Sequence, residues 1–161
     1  MAKANIFQQE IGSFLKERYL IAERLDDANR NRNNTFQVSK KPYDYFGALS
    51  NGKFWGAEVK KVATTRFPLV NLSQDQRKSL MLLEDNNCLA WIFLNWRFKD
   101  KLHRVGYAIW IPFSDYCDVE YLAVSDGRKS LKPKDFNEQW FLGRESSKWI
   151  VPHYHPLYKL L

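Results

Sequence analysis

One run of the chain is almost entirely apolar, CLAWIFLNW at residues 88–96. A strand that reads as a continuous apolar run is typical of the interior of a sheet whose two faces are both covered. RVGYAIWIP at 104–112 is a second run of this kind, and the basic turn RFKDKLH joins the two. We therefore predict that 88–96 is a central strand covered on both faces and that 104–112 is its neighbour.

The covering layers are predicted from two amphipathic segments. NIFQQEIGSFLKERYLIAER at 5–24 predicts a helix, and SQDQRKSLMLLEDN predicts a second one that Ser73 caps. Between them, the polar segment 26–35 predicts an exposed loop and 36–39 a short strand. The order of helix, strands, helix and strands favours an α/β or α+β sandwich. The apolar side of the first helix would consist of Phe7, Ile11, Phe14, Leu15 and Tyr19.

Length and charge restrict the class of protein. A chain of 161 residues fits a single domain, 1–161, and its 16% aromatic content excludes a disordered tail. The net charge of +7 favours nucleic acid or an anionic membrane surface as partner. Because the start has no signal-like apolar run and no stretch could span a bilayer, we expect a cytoplasmic protein without a membrane partner. Cys88 and Cys117 lack the spacing of a zinc site.

The segment 41–61, KPYDYFGALSNGKFWGAEVKK, predicts a β-hairpin around an Asn-Gly turn. Its three charges, Asp44, Glu58 and Lys60, lie among aromatic and apolar residues, where charges are unusual. A two-residue turn would send the two acids to opposite faces of the hairpin.

A three-residue loop would give a different arrangement. If Ser50, Asn51 and Gly52 form the loop, with Gly52 in the left-handed conformation, Asp44 lies directly across from Glu58. Lys60 then shares their face, because side chains alternate along a strand. We predict this second register, which gathers all three charges.

Two interpretations of such a cluster remain open from spacing alone. Paired carboxylates suit Mg²⁺, and an adjacent ammonium can hold a water that attacks a phosphodiester. The alternative is a salt-bridge trio on a solvated strand face, which contributes about 1 kcal/mol or less.

Two segments resemble the RecU-like Holliday junction resolvases of the PD-(D/E)xK nuclease superfamily. They are YDYFGALSNGKFWGAEVKKVATTRFPLVNLSQDQ, from residue 43, and SDGRKSLKPKDF at 125–136. FQQEIGSFLKERY is a weaker third match. The resemblance implies an α/β, restriction-endonuclease-like fold, with a mixed β-sheet flanked by helices. It also implies a symmetric homodimer that nicks four-way DNA junctions in recombination and repair.

The resemblance also implies the site residues. Asp44 and Glu58 would bind Mg²⁺, with Mn²⁺ as a substitute, and Lys60 would orient or activate the water. Gln76 matches a glutamine that the family places beside the site. Glu10 falls where related resolvases supply a further acidic metal ligand, although an ordinary solvent-facing glutamate is equally typical of an amphipathic helix.

Basic residues are spread over several segments, so the fold must bring them together to form a DNA-binding surface. The connection 62–72 could project into the junction opening, which resembles the family's projecting segment. Phe67 within it could stack on bases, but anchoring to the core is the favoured role. The predicted DNA-binding residues are Lys61, Thr64, Thr65, Arg66, Arg128, Lys129, Lys132 and Lys134, and further basic candidates are Arg30, Arg32, Lys40 and Lys41.

Two other functions stay open at this point. The chain could be a restriction-like or repair nuclease that cuts duplex or flap DNA. It could also be a catalytically inactive accessory protein, although a pure binding module has no need of paired, mutually repelling carboxylates. A nucleoid-associated or a phage-encoded protein would fit equally well.

Overall fold

The computed structural model describes residues 6–18, 21–25, 41–97, 106–145 and 148–160. Within them the helices are α1 (Ile6–Lys16), α2 (Gln74–Asp85) and α3 (Phe113–Ser125). The strands are β1 (Ile21–Arg24), β2 (Tyr45–Ala48), β3 (Phe54–Val62), β4 (Phe67–Pro68), β5 (Leu89–Trp96), β6 (Tyr107–Pro112), β7 (Ser130–Leu131), β8 (Gly143–Glu145) and β9 (Lys148–Ile150). Short 3-10 turns occupy Leu69–Asn71, Pro133–Asp135, Glu138–Trp140 and Tyr158–Leu160.

The main sheet has five strands in the order β1-β2-β3-β5-β6. Strands β3 and β5 are parallel, and the other neighbours are antiparallel, so the sheet is mixed. Every residue of β5 from Ala90 to Trp96 is buried, and β6 lies beside it. The predicted central strand and its neighbour are confirmed: β5 lies between β3 and β6, and β6 forms the edge of the five-stranded sheet.

Helices cover both faces of this sheet. On one face, the Phe14 ring of α1 packs edge-on against Phe93, with ring centroids 6.1 Å apart, and against Trp110 at 5.8 Å. On the other face, α2 places Leu83 against Gly56 of β3. The α3 helix lies beside α2, and the Arg77–Glu120 ion pair joins the two. This is the predicted class of fold, a mixed sheet flanked by helices.

One predicted helix boundary is wrong, and one helix was not predicted. The first helix ends at Lys16, and residues 21–24 form β1 instead, which pairs with the open edge of β2 and buries Ala22 against Gly47. Pairing at a sheet edge therefore decides the conformation of a segment with helix-like spacing. The sequence also gave no sign of α3.

Several predictions concern residues outside the described ranges. They are the loop at 26–35, the strand at 36–39, Tyr19 on the first helix, and all but Arg97 of the basic turn. In the described part of the chain, no helix has the length and apolar character needed to cross a bilayer.

Candidate active site

The hairpin of β2 and β3 has the predicted three-residue loop. Tyr45 pairs with Ala57 and Ala48 with Phe54, which leaves the 49–53 segment to close the turn. The Leu49 N–H donates to the Lys53 carbonyl at 2.9 Å, and Gly52 has a positive φ of 80°. The strand pairing ends at Tyr45 and Ala57, and the Asp44 N–H donates to the Ala57 carbonyl at 2.9 Å, which leaves Asp44 next to the part of β3 that carries Glu58.

Asp44 is buried, with 2% of its surface exposed, and both of its carboxylate oxygens have partners. Oδ2 accepts a hydrogen bond from the Val59 N–H at 2.9 Å, which ties the side chain to β3. Oδ1 lies 2.7 Å from the Lys41 ammonium. Asp44 is therefore held against the strand that carries Glu58.

Glu58 is 1% exposed, and its two oxygens differ in their surroundings. Oε1 lies 2.9 Å from the Lys60 ammonium and also accepts a hydrogen bond from the Gln76 amide. Oε2 is buried and has no partner among the described residues. Burial, together with the nearby Asp44 charge, raises the pKa of Glu58 to about 7 against the opposing effect of Lys60 and Lys41.

Gln76 is fixed by the start of α2. Ser73 caps this helix, and its hydroxyl accepts the Gln76 N–H at 3.3 Å. The side-chain amide oxygen of Gln76, Oε1, accepts hydrogen bonds from the Ser73 N–H and from the Lys60 ammonium, both at 3.0 Å. This capping box positions Gln76 beside Glu58 and Lys60, the place that the resemblance implies for it.

The acid pair has the properties of a divalent-metal site. Buried carboxylates are normally fully hydrogen-bonded, so the partnerless Oε2 of Glu58 next to a second acid fits a cation that binds oxygen ligands. Among the residues that the structure describes, no third Asp, Glu, His or Cys completes a cluster. Asp44 and Glu58 are thus the two side chains that could hold the ion.

Glu10 does not join this pair in the structure. Its carboxylate accepts hydrogen bonds from the Arg97 guanidinium at 2.9 and 3.1 Å and from the Trp149 indole N–H at 3.0 Å. Arg144 lies 3.6 Å away. These contacts join α1 to the residue after β5 and to the β8–β9 hairpin. Both carboxylate oxygens of Glu10 therefore have partners.

The connection after β3 divides into an exposed part and an anchored part. Lys61, Thr64, Thr65 and Arg66 are exposed, and the Thr64 hydroxyl donates to the Arg66 carbonyl at 2.8 Å. Phe67 is buried in β4, which pairs with β7. The favoured anchoring role of Phe67 is confirmed, and the two separate segments of the resemblance meet at this pairing.

A groove of about 950 Å³ lies next to this pairing. Thr65, Lys132 and Lys134, which were predicted to bind DNA, line it together with Arg144, which the sequence did not single out. Its aromatic lining consists of Tyr107, Phe136, Phe141, Trp149 and Tyr154.

The other predicted basic residues are placed differently. Arg128 forms ion pairs with Asp135 at 2.7 Å and with Asp126 at 3.4 Å, whereas Lys129 is exposed. Lys41 lies in the site on Asp44 instead of on a phosphate-binding surface. The sequence KPYD at 41–44 could have indicated the Lys41–Asp44 ion pair, because the two residues are three positions apart with a proline between them.

The fold and the acid pair together define a metal-dependent nuclease, because clustered buried carboxylates with an adjacent ammonium serve phosphodiester hydrolysis. The sequence model of the family described as Recombination protein U, or RecU, matches residues 8–159. The chain therefore belongs to the RecU family of Holliday junction resolvases, which are divalent-metal-dependent nucleases that hydrolyse phosphodiester bonds in branched DNA.

Among solved structures, the chain is similar to the Holliday junction resolvase Hjc of Archaeoglobus fulgidus. The two share 15% identity at a TM-score of 0.45, over 94% of this chain and 91% of that one. No curated protein matches the chain.

Proposed function

We propose that Asp44 and Glu58 hold a Mg²⁺ ion, for which Mn²⁺ can substitute, and that this site cuts four-way junctions by paired nicks. The observation that carries the proposal is the buried Oε2 of Glu58, which lies beside Asp44 and has no partner in the part of the chain that the structure describes. When bound, the ion supplies positive charge that activates water and stabilises the charge developing on the phosphate.

The protein's own groups position the reactants. The Lys60 ammonium, held by Glu58 at 2.9 Å and by Gln76 at 3.0 Å, has a third N–H with which to orient the attacking water or a phosphate oxygen. Gln76 keeps Lys60 in place through the cap of α2. Glu10 is left out of this ligand set, because two arginines and an indole N–H engage its carboxylate.

DNA binding is proposed for the exposed part of the connection and for the basic groove. Lys61 lies in β3 next to Lys60, and Thr64, Thr65 and Arg66 follow that strand, so a DNA backbone bound there would lead into the site. Lys132 and Lys134, together with Lys129, would continue the phosphate contacts. Arg128, which is paired with two aspartates, would mainly support this segment.

Paired nicks require two sites, which a symmetric homodimer would supply. Cleavage should be measured on labelled synthetic four-way junctions, matched duplexes and flaps, each with Mg²⁺ and with EDTA. The proposal expects symmetric paired nicks in the junction alone, and none in EDTA. Equal cutting of duplex or flap would instead identify a repair or restriction-like nuclease.

The DNA-binding surface is tested separately. The double variant Lys132→Ala/Lys134→Ala should flatten the dependence of log Kd on log salt by up to about 2. The control Lys53→Ala/Lys78→Ala removes two exposed lysines from outside the groove. A slope equal to that of the wild type would exclude Lys132 and Lys134 from the surface.

A further inference from the structure

Lys41 contacts one acid of the pair, Asp44, whereas Lys60 contacts the other, Glu58. Its Nζ atom lies 2.7 Å from Oδ1 of Asp44, and the side chain is 20% exposed. The Lys41 charge also acts on Glu58, where it opposes the rise of the pKa. A divalent ion bound to Asp44 would therefore be close to the positive charge of Lys41.

The two oxygens of Asp44 differ in how readily they can be released. Oδ2 is bound by the backbone N–H of Val59 in the middle of a strand, and that donor cannot withdraw without breaking the sheet. Oδ1 is bound by the end of a flexible four-carbon side chain that reaches solvent. An incoming cation would consequently compete for Oδ1.

The two lysines of the site contact different acids. Lys60 lies 2.9 Å from Oε1 of Glu58 and is also bound by Gln76, which the cap of α2 holds, so it would keep its place when Glu58 gains a new ligand. The contact of Lys41 with Oδ1 of Asp44 is one that a doubly charged ion would replace, because the ion would bind that oxygen and repel the ammonium.

We propose that Lys41 is the resident counter-ion of Asp44, which competes with the divalent ion for Oδ1 and is released when the ion binds. The inference rests on the proposed function, in which Asp44 and Glu58 are the ligands of the ion. Lys41 neutralises a buried carboxylate in the metal-free protein, and it thereby weakens the affinity of the site for metal.

The first test is a titration with Mn²⁺, in which the electron paramagnetic resonance signal of the free ion gives Kd. Lys41→Met should lower Kd about tenfold, because a like charge is removed from beside the ion. Lys41→Arg, which keeps the charge, and Lys53→Met, on the same hairpin, should stay within about twofold of the wild type. A Kd for Lys41→Met that equals or exceeds that of the wild type would overturn the inference.

The same titration separates this inference from the proposed function. Asp44→Asn should lose Mn²⁺ binding at the site. If Asp44→Asn binds Mn²⁺ as the wild type does, the proposed ligand set fails. If Asp44→Asn loses binding while Lys41→Met leaves Kd unchanged, the role of Lys41 alone fails.

A second test needs no substitution, so it decides the question even if Lys41→Met does not fold. Wild-type protein is treated briefly with an amine-acetylating reagent, with and without saturating Mn²⁺, and the modified peptides are quantified by mass spectrometry. Release from Asp44 should raise the acetylation rate of Lys41 severalfold, while Lys53 serves as the internal reference. A Lys41 rate that Mn²⁺ leaves unchanged, relative to Lys53, would contradict its release.

Discussion

Glu58 and Glu10 are two glutamates to which the family resemblance gives the same role, and the fold surrounds them with different charges. Glu58 faces a second acid, is almost fully buried, and keeps one oxygen without a partner in the described structure. Glu10 is instead bound by Arg97 and by the Trp149 indole, with Arg144 close by.

The difference shows that the neighbours of a carboxylate decide what it can do. A carboxylate beside another carboxylate is destabilised in its charged form, and a divalent cation relieves that repulsion. A carboxylate between two guanidinium groups is already neutralised, and its removal would leave those groups unpaired. The region of Glu58 therefore has the properties of a reactive site, and the region of Glu10 those of a structural joint.

The largest expected effect comes from Asp44. Asp44→Asn should slow junction cleavage in Mg²⁺ by about a thousandfold or more, because it removes a ligand of an ion that contributes several kcal/mol of transition-state stabilisation. Junction affinity should stay within about twofold, since the basic surface is untouched. Gel-based cleavage and binding assays measure both quantities.

The matched control is Asp85→Asn, which alters an exposed acid near the end of α2. It should cleave at the wild-type rate. Wild-type cleavage by Asp44→Asn would break the comparison, because the acid pair would then have no special role.

The second prediction concerns pH and uses the raised pKa of Glu58. Burial and the Asp44 charge raise this pKa from 4.5 to about 7, despite the opposing charges of Lys60 and Lys41. Between these values the folded, metal-free protein holds a proton on Glu58 that the unfolded chain has lost. The free energy of unfolding should therefore fall as pH rises from about 4.5 to 7, by on the order of 3 kcal/mol.

Urea denaturation in EDTA at several pH values measures this dependence. Glu58→Gln should remove the greater part of it, because the amide does not titrate. If the wild type and Glu58→Gln show parallel pH profiles, Glu58 does not have the raised pKa that distinguishes it from an ordinary glutamate.

The third prediction concerns the structural joint. Glu10→Gln should lower the free energy of unfolding by about 2 kcal/mol, because the half-buried Arg97 and Arg144 lose their counter-ion. Junction cleavage by the folded variant should stay within about threefold of the wild type. Denaturation and cleavage at a temperature where the variant is fully folded give the two values.

Glu17→Gln is the matched control directly after the end of α1, since Glu17 pairs with Lys148 at the exposed surface. It should leave the free energy of unfolding close to that of the wild type, because an exposed ion pair contributes little to stability. A loss of cleavage by folded Glu10→Gln as large as that of Asp44→Asn would place Glu10 in the catalytic site after all.

These two regions also show what the sequence can predict. The hairpin loop, the cap of α2 and the central strand β5 depend on residues close together in the chain, and all three predictions are confirmed. The contact between Glu10 and Arg97 joins residues 87 positions apart, and local patterns contain no information on such a pair. The resemblance supplied a role for Glu10 but not its neighbours.

The helix α3 was missed for a different reason. Tyr121, Leu122 and Val124 are apolar yet 72%, 62% and 54% exposed, so the apolar residues of this segment do not follow the side that packs on the sheet. Periodicity indicates a helix only when the apolar stripe and the buried face coincide. In the first predicted helix, the spacing instead extended too far, into what is β1.

The smallest expected effect concerns the loop that sets the register of the acid pair. Gly52 has a φ of 80°, and a Cβ there would meet no atom within 4 Å, so Gly52→Ala adds backbone strain without a steric clash. We expect it to lower the free energy of unfolding by about 1 kcal/mol, and Gly52→Asn by less, because asparagine tolerates the left-handed region. Urea denaturation measures both variants. The strands on either side keep their pairing, so cleavage by folded Gly52→Ala should match that of the wild type. A large loss of cleavage would show that the register of the hairpin depends on Gly52. The proximity of Asp44 and Glu58 would then depend on this one residue as well.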